Sequence, residues 1–193
     1  YQEDSALSRR PDVVDFTGEP LADDLYLVGN PVIELAQSCD NRYRDIFVRL
    51  SVVDAKGKSR NVSDGFRRLT TPSDQPEILR LELDAVAHRI PAGSRLRVII
   101  AGGCHPRYDR NLGTGEPVVS GGRMAPATHT VHHGAGGVSR LLLPKVPLSA
   151  DLVTYPLNDG GQRSVVVHRR APLGRDRQVH PAAAAGVVRR ARQ

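Results

Sequence analysis

The feature that most constrains this chain is an alternation of apolar and polar residues with a period of two. In the segment 45–54, DIFVRLSVVD, the apolar face carries Ile46, Val48, Leu50 and Val52. The opposite face carries Asp45, Phe47, Arg49 and Ser51. Because successive side chains of a strand point to opposite sides of a sheet, this period predicts a half-buried strand whose second face meets water.

The same period recurs in two later segments. ILRLELD at 78–84 directs Leu79, Leu81 and Leu83 inward, and SRLRVIIA at 94–101 directs Leu96, Val98 and Ile100 inward. Both are predicted to be antiparallel strands with one face in water. Shorter apolar runs predict further strands at Asp12–Thr17, Leu25–Val28, Val32–Gln37, Ser59–Ser63, Thr128–His133 and Ser139–Leu143.

Clusters of turn-forming residues separate these segments. They lie at Gly29-Asn30-Pro31, Asp54–Gly57, Asp64-Gly65, Pro91-Ala92-Gly93, Gly102-Gly103 and Gly134–Gly137. Short strands separated by frequent turns, without a clear amphipathic helix, predict an all-β fold of the sandwich or jelly-roll type. The segment 104–126 has little periodicity and is predicted to form one long ordered loop.

The composition divides the chain near Pro147. Half of the residues from Ala150 to Gln193 are Arg, Ala, Gly or Pro, and apolar periodicity fades there. We therefore predict a β-sandwich domain at residues 1–149, followed by a low-complexity, disordered tail at 150–193. With 193 residues, the chain has room for one domain of ordinary size and such a tail.

The positive charge is concentrated in the tail. The whole chain carries +6, and eight arginines against three aspartates give the tail +5 of it. The body is balanced, so nucleic acid is expected to bind only weakly, through the tail.

No apolar run approaches the ~20 residues of a membrane helix, and no membrane partner is expected. No signal peptide follows Tyr1, which favours a cytoplasmic location.

The motifs of a catalytic centre are missing from the sequence. A serine nucleophile on a tight elbow needs a glycine on each side, and Ser59 and Ser139 each have only the first. Acyl transfer also needs a base and oxyanion donors that converge on the nucleophile. We therefore predict no catalytic residues and no cofactor, and we expect the isolated chain to be inactive.

A histidine cluster at 128–133 is the densest concentration of potential metal ligands. On a strand, His129 and His133 share one face while His132 points to the other, and no Asp, Glu or Cys lies close in sequence. The pattern favours surface or interface histidines, with His129 and His133 as weak metal candidates. The two cysteines, Cys39 and Cys104, are too few for a disulfide framework or a four-cysteine zinc site.

The most distinctive segment is CHPRYDRNLGTGEP at 104–117. A loop rich in both charge signs and in turn formers is typically organised by arginine–carboxylate and Asx hydrogen bonds. Two interpretations stay open here, a structural loop or domain interface on one side and direct contact with a ligand on the other. The candidate interface residues are His105, Arg107, Tyr108, Asp109, Arg110 and Asn111.

This loop resembles the PR(Y/F)DRN…TGE signature of the C-terminal domain of X-prolyl dipeptidyl-peptidases and cocaine-esterase (CocE/NonD) type hydrolases. Other pieces similar to that domain follow the same order, namely PDVVDFT from residue 11, VGNPV from 28, DIFVRL from 45, NVSDG from 61, AHRIPAGSRLRV from 87 and SRLLLP from 139. The resemblance covers about residues 4–147.

The resemblance implies a jelly-roll, galactose-binding-like β-sandwich that follows an α/β-hydrolase domain. The Ser-Asp-His triad of the family belongs to that preceding domain, so none of its members is carried onto a position in this chain. The expected function is that of an accessory domain of a serine ester or peptide hydrolase. The expected partner is the α/β-hydrolase domain of the same polypeptide, and a homo-oligomer is a further alternative. The alternative function is a free-standing module that binds a ligand or a carbohydrate.

Overall fold

The computed structural model describes residues 2–133, 139–147, 179–181 and 190–192. The strands, in chain order, are β1 (Val13–Thr17), β2 (Leu25–Gly29), β3 (Val32–Cys39), β4 (Arg44–Val53), β5 (Ser59–Leu69), β6 (Ser73–Glu82), β7 (Val86–Ile90), β8 (Arg95–Ala101), β9 (Thr128–Val131), β10 (Arg140–Leu142), β11 (Val179–Pro181) and β12 (Arg190–Arg192). A single 3-10 turn, Leu7–Arg9, is the only helix in these ranges. None of the described helices could span a bilayer.

The strands form antiparallel sheets that face each other. The first sheet has the order β1-β8-β4-β5. In the second, the order is β11-β10-β3-β9-β12, and β6 pairs with the free side of β3. Strands β2 and β7 form a third, two-stranded sheet. The all-β sandwich predicted from the alternation is therefore confirmed.

The apolar residues of the alternating segments meet between the sheets. Ile46, Val48 and Leu50 of β4 are at most 1% exposed. They pack in one cluster with apolar side chains from most other strands, including Ile33, Leu35, Leu81, Leu83, Val98 and Ile100. Each fully buried side chain of this kind stabilises the fold by about 1.5–3 kcal/mol. The inward faces predicted for the segments at 45–54, 78–84 and 94–101 are confirmed, with Val52, Leu79 and Leu96 only partly buried.

The second face of β4 does not meet water, and this prediction was wrong. Asp45, Phe47 and Ser51 are 1%, 2% and 0% exposed, and the Arg49 side chain is 13% exposed. The cause is the segment between β8 and β9, residues 102–127, which folds over the outer face of the first sheet together with residues 4–12. A period of two identifies the two faces of a strand, but it does not say what covers them.

The turn predicted at Asp64-Gly65 was also wrong, because both residues lie inside β5. Gly65 pairs with Val48 across the ladder. A Cβ atom at Gly65 would collide with the Leu83 side chain and lie 3.2 Å from the Glu82 carbonyl oxygen. The glycine therefore permits a close approach between strands rather than a reversal of the chain. Strand β7, the second half of β5, the first half of β6 and the short strands β11 and β12 were not predicted.

The long loop predicted at 104–126 agrees with the structure, in which residues 102–127 contain neither helix nor strand. In the tail, β11 pairs with β10 and β12 pairs with β9. The predicted turn at Gly134–Gly137 and the rest of the tail lie outside the described residues. The domain boundary at 149/150, the disorder of the tail and its weak binding of nucleic acid stay predictions.

Candidate functional site

The outer face of the β4–β5 hairpin carries a ladder of matched side chains. The cross-strand pairs are Asp45 with Arg68, Phe47 with Phe66, and Arg49 with Asp64. Arg68 donates two hydrogen bonds of 2.9 Å to the Asp45 carboxylate. Arg49 donates two, of 2.7 and 2.9 Å, to Asp64. Bidentate arginine–carboxylate pairs are strong and fix geometry, so this face presents a rigid polar surface to the loop above it.

Three consecutive loop residues lie along alternate residues of β5. Arg107 donates to the Asp64 carboxylate and, at 3.1 Å, to Asp84. The Tyr108 ring stacks on Phe66, with 4.0 Å between the centroids and 7° between the planes. Arg68 Nη2 donates to the Asp109 carbonyl oxygen at 2.6 Å. The loop is thus attached to the strand by an ion pair, an aromatic stack and a charged hydrogen bond.

The following residues of the loop are fixed by asparagines. The Asn111 side chain donates to Asp45 at 2.8 Å, and its Oδ1 accepts from the Gly113 amide at 2.9 Å. Asn41 donates to the Gly113 carbonyl at 2.9 Å. Gly113 has a φ of +71°, and a Cβ atom there would collide with the Ala125 carbonyl. Glycine is therefore required at 113 for both its conformation and the close approach of the chain.

Beside this attachment, the loop and the sheet enclose a cleft of about 460 Å³. Its floor is the outer face of β1, β4 and β8, formed by Val13, Phe47, Ile99 and Ala101. Its rim includes Leu7, Arg10 and Asp12 from the N-terminal segment and Cys104, His105, Asp109, Arg110 and Met124 from the loop. The cleft therefore combines an apolar floor with a rim of both charge signs.

Two ionisable groups of the rim, Arg10 and Asp12, are paired with each other. Arg10 donates hydrogen bonds of 2.9 and 2.5 Å to Asp12, and this bonding lowers the pKa of the Asp12 carboxyl. Burial raises the pKa of the Cys104 thiol. A protonated thiol is a poor nucleophile, so the cleft does not offer an activated cysteine.

The six predicted loop residues divide into two groups. Arg107, Tyr108 and Asn111 attach the loop to the sheet. His105, Asp109 and Arg110 lie on the rim of the cleft, where Arg110 Nη1 is 4.0 Å from Met124 Sδ. The structure therefore brings all six to one region, and their role as an interface stays a prediction.

The sequence model of one protein family, the X-Pro dipeptidyl-peptidase C-terminal non-catalytic domain, matches residues 1–142. This chain belongs to that family. The match includes β1 to β10, the attached loop and all of the residues that line the cleft. No curated protein is similar enough in sequence to count as a match.

Solved structures share the fold of this family domain. An α-amino acid ester hydrolase is 26% identical, with a TM-score of 0.68 over 75% of this chain and 27% of its own. An aminopeptidase from a marine sediment Thaumarchaeota archaeon is 24% identical, with a TM-score of 0.62 over 67% of this chain and 25% of its own. A CocE/NonD family hydrolase from Staphylococcus aureus is 18% identical, with a TM-score of 0.54 over 76% of this chain and 32% of its own. The chain thus spans about a quarter to a third of these proteins.

His129 and His133 lie apart from the cleft. His129 is 4% exposed on the same face of β9 as Val131, and burial, followed by the charge of Arg44, lowers its pKa to about 4. The His133 ring contacts Phe16 edge-on, with 5.4 Å between the centroids. Within the described ranges, no three His, Cys, Asp or Glu residues form a group that could hold a metal. Among the described residues, no third ligand is found for a metal held by His129 and His133.

Sequence reasoning missed the residues to which the loop is attached. Asp45 and Arg49 were assigned to water, Asp64 was assigned to a turn, and Arg68 was not considered. Counting outward from a hairpin turn at 54–58 would place Ser63 opposite Arg49. A register shift between Leu50 and Ser51 moves the pairing by one residue, so that Asp45 meets Arg68 and Arg49 meets Asp64. Residue counting alone therefore does not predict these two pairs of opposite charge.

Proposed function

We propose that this chain is the C-terminal accessory β-domain of a serine hydrolase of the X-Pro dipeptidyl-peptidase or CocE/NonD type, and that it carries no catalytic triad. The observation that supports this is the match of residues 1–142 to a family described as non-catalytic. The α-amino acid ester hydrolase supports it further, because its likeness to this chain covers only 27% of its own length. Hydrolysis of an acyl ester or a peptide is then the activity of the parent enzyme.

The polar groups of the site also favour a supporting role. Asp45 and Asp64 each accept a bidentate arginine and are at most 2% exposed, so neither is free to act as a base. In the described part of the chain one serine hydroxyl contacts an imidazole ring, with 2.9 Å between Ser38 Oγ and His132 Nε2, while Ser139 Oγ donates to the backbone carbonyl of His132. A triad also requires a group that orients the imidazole, and no described carboxylate bonds to His132.

The first test is to sequence the DNA upstream of the codon for Tyr1. We expect the same reading frame to continue into an α/β-hydrolase domain with a G-x-S-x-G elbow. A stop codon followed by a start codon directly before Tyr1 would contradict the proposal.

The second test is an activity assay on the purified 193-residue chain. We expect no turnover of p-nitrophenyl esters and no stoichiometric labelling by a fluorophosphonate. The matched control is Ser38→Ala, because Ser38 is the described serine whose hydroxyl contacts a histidine ring. Turnover that is lost in Ser38→Ala would make the chain a hydrolase in its own right and would overturn the proposal.

The alternative, a free-standing ligand-binding module, is favoured by one observation. The cleft of about 460 Å³ lies within the size range of small-molecule sites. A carbohydrate is the less favoured ligand. Among the described residues that line the cleft, Phe47 is the only Phe, Tyr or Trp. Its ring is 2% exposed and offers no open face on which a sugar could stack. Calorimetric binding of a sugar or another small ligand to the isolated chain would favour the module over the accessory domain.

A further inference from the structure

The loop that closes the cleft also exposes large apolar side chains. Val118, Val119 and Met124 are 42%, 100% and 57% exposed. Met124 lies on the rim of the cleft as well, and Val118 and Val119 belong to the same loop. We call the cleft together with these three side chains the loop face. Exposed apolar residues that adjoin a cleft with a polar rim are typical of an interaction site.

The loop face is held in a fixed shape without a partner. The amides of Ser120 and Gly121 donate to the Pro117 carbonyl at 3.1 and 2.8 Å, which forms a turn that contains Val118 and Val119. The Ala125 amide donates to the Leu112 carbonyl at 2.8 Å and fixes the return of the chain. A preformed surface loses little conformational entropy on binding, so these contacts favour association.

We propose that the loop face is the surface on which the α/β-hydrolase domain of the same polypeptide docks. This inference rests on the proposed function. The position of the N-terminal residues is the first argument. The Asp4 amide bonds to the Ser59 carbonyl at 3.0 Å, and Leu7 and Arg10 lie on the rim of the cleft. Because the family domain is C-terminal, a catalytic domain would join the chain at this end, next to the loop face.

The chemistry of the loop face indicates what the hydrolase domain presents to it. The partly exposed apolar groups that line the cleft, Leu7, Ala101 and Met124, can contact an apolar side chain. Arg110 is exposed and forms no ion pair with any described residue, so it is available to a carboxylate of the partner. A stable interface buries about 800 Å² on each side, so the cleft needs the exposed apolar residues of the loop around it.

Cys104 provides a reporter for this docking. It is partly exposed on the rim of the cleft, whereas Cys39 is 4% exposed in the interior and serves as an internal control. The experiment compares the alkylation of both thiols by N-ethylmaleimide in the 193-residue chain and in the longer polypeptide that includes the hydrolase domain. We expect Cys104 to react at least about tenfold more slowly in the longer polypeptide and Cys39 to be protected in both.

A pair of double variants assigns the protection to the loop face. Val119→Asp with Met124→Asp places carboxylates in the apolar contact, where their burial is costly. The control is Val28→Asp with Ile78→Asp, at residues that are 51% and 59% exposed on β2 and β6. All four positions are exposed, so we expect both variants to fold with unchanged circular dichroism. Only the loop-face variant is expected to restore the alkylation of Cys104.

The outcomes separate this inference from the proposed function. Equal alkylation of Cys104 in the short and long chains, with the hydrolase domain present, overturns the loop face as the docking surface and leaves the accessory role intact. Loss of protection in the control variant also overturns it. A dimer of the isolated chain that Met124→Asp disperses makes a second copy the occupant and overturns it as well. The absence of an upstream hydrolase domain overturns both proposals.

Discussion

Strand β4 is buried on both of its faces, but by different chemistry. On the inner face Ile46, Val48 and Leu50 are enclosed by apolar side chains of the opposite sheet. On the outer face Asp45 and Arg49 are enclosed by the loop at 102–127 and by the charged partners on β5. The comparison shows that an alternating strand is compatible with a covered polar face, provided that every buried charge meets a partner.

The two faces contribute differently to the fold. Burial of the inner face supplies most of the free energy of folding, because it removes apolar area from water. A buried ion pair adds little net stability relative to an apolar pair, yet removal of one partner is costly because the other charge is left unpaired. The outer face therefore acts mainly to fix where the loop lies, and the following predictions test this distinction.

The largest effect is expected for Asp64→Asn. This change removes the carboxylate that holds Arg49 and Arg107, and the Arg49 side chain is only 13% exposed. We expect the free energy of unfolding to fall by about 3–5 kcal/mol, as much as for Leu50→Ala on the inner face. Urea denaturation monitored by circular dichroism measures both variants.

The matched control for this prediction is Asp84→Asn. Asp84 also accepts from Arg107, but its side chain is 66% exposed. Exposed pairs contribute about 1 kcal/mol or less, so we expect little loss of stability. Equal losses in Asp64→Asn and Asp84→Asn would contradict the argument that burial of the charge decides the cost.

The same contrast explains what the sequence could and could not predict. The inner face was predictable because apolar residues at alternate positions have only one favourable location. The outer face was not, because Asp45, Phe47, Arg49 and Ser51 are compatible with water as well as with a polar cover. The loop residues were identified by their composition, but the contacts of Arg107 and Tyr108 depend on the tertiary fold. The cleft depends on the same fold, since Leu7, Phe47, Ile99 and Met124 are far apart in sequence.

The next largest effect is expected for the protonation of His129, a buried histidine whose pKa is lowered to about 4. His129 stays neutral in the folded state below its ordinary pKa of 6.5, whereas the unfolded chain takes up the proton. The buried, neutral His129 therefore leaves the free energy of unfolding at its full value above about pH 6.5. As the pH falls towards 4, protonation of this histidine in the unfolded chain lowers that free energy. We expect a loss of up to about 3 kcal/mol across this window, measured by denaturation at several pH values.

The variant His129→Leu serves as the control for this pH dependence. It places an apolar side chain of similar size beside Val131 and removes the titrating imidazole. Arg44, Asp40 and Asp45 are the charged groups that act on His129, and they remain in the variant. The slope of the free energy of unfolding against pH is set by the number of protons that the chain takes up on unfolding. We expect this number to fall by about one between pH 4 and 6.5 in the variant. An unchanged slope would show that His129 is accessible to protons in the folded state.

A smaller effect is expected for the stack of Tyr108 on Phe66. The rings are nearly parallel at a centroid distance of 4.0 Å, and they join the loop to β5. A double-mutant cycle with Tyr108→Ala and Phe66→Ala isolates their coupling from the area that each buries. We expect a coupling of about 0.5–1.5 kcal/mol. Additive losses in the double variant would mean that the ion pairs alone hold the loop.

The smallest effect is expected for Asp12→Asn at the rim of the cleft. The ion pair of Arg10 with Asp12 has short hydrogen bonds, but the side chains are 57% and 34% exposed, so water replaces the lost interaction. We expect the free energy of unfolding to change by less than about 1 kcal/mol, and 1 M salt to remove most of this difference. Asp12→Asn and Asp64→Asn make the same chemical change on the same side of the sheet and differ in burial. A large, salt-independent loss in Asp12→Asn would show that the rim, like the hairpin ladder, holds the loop in place.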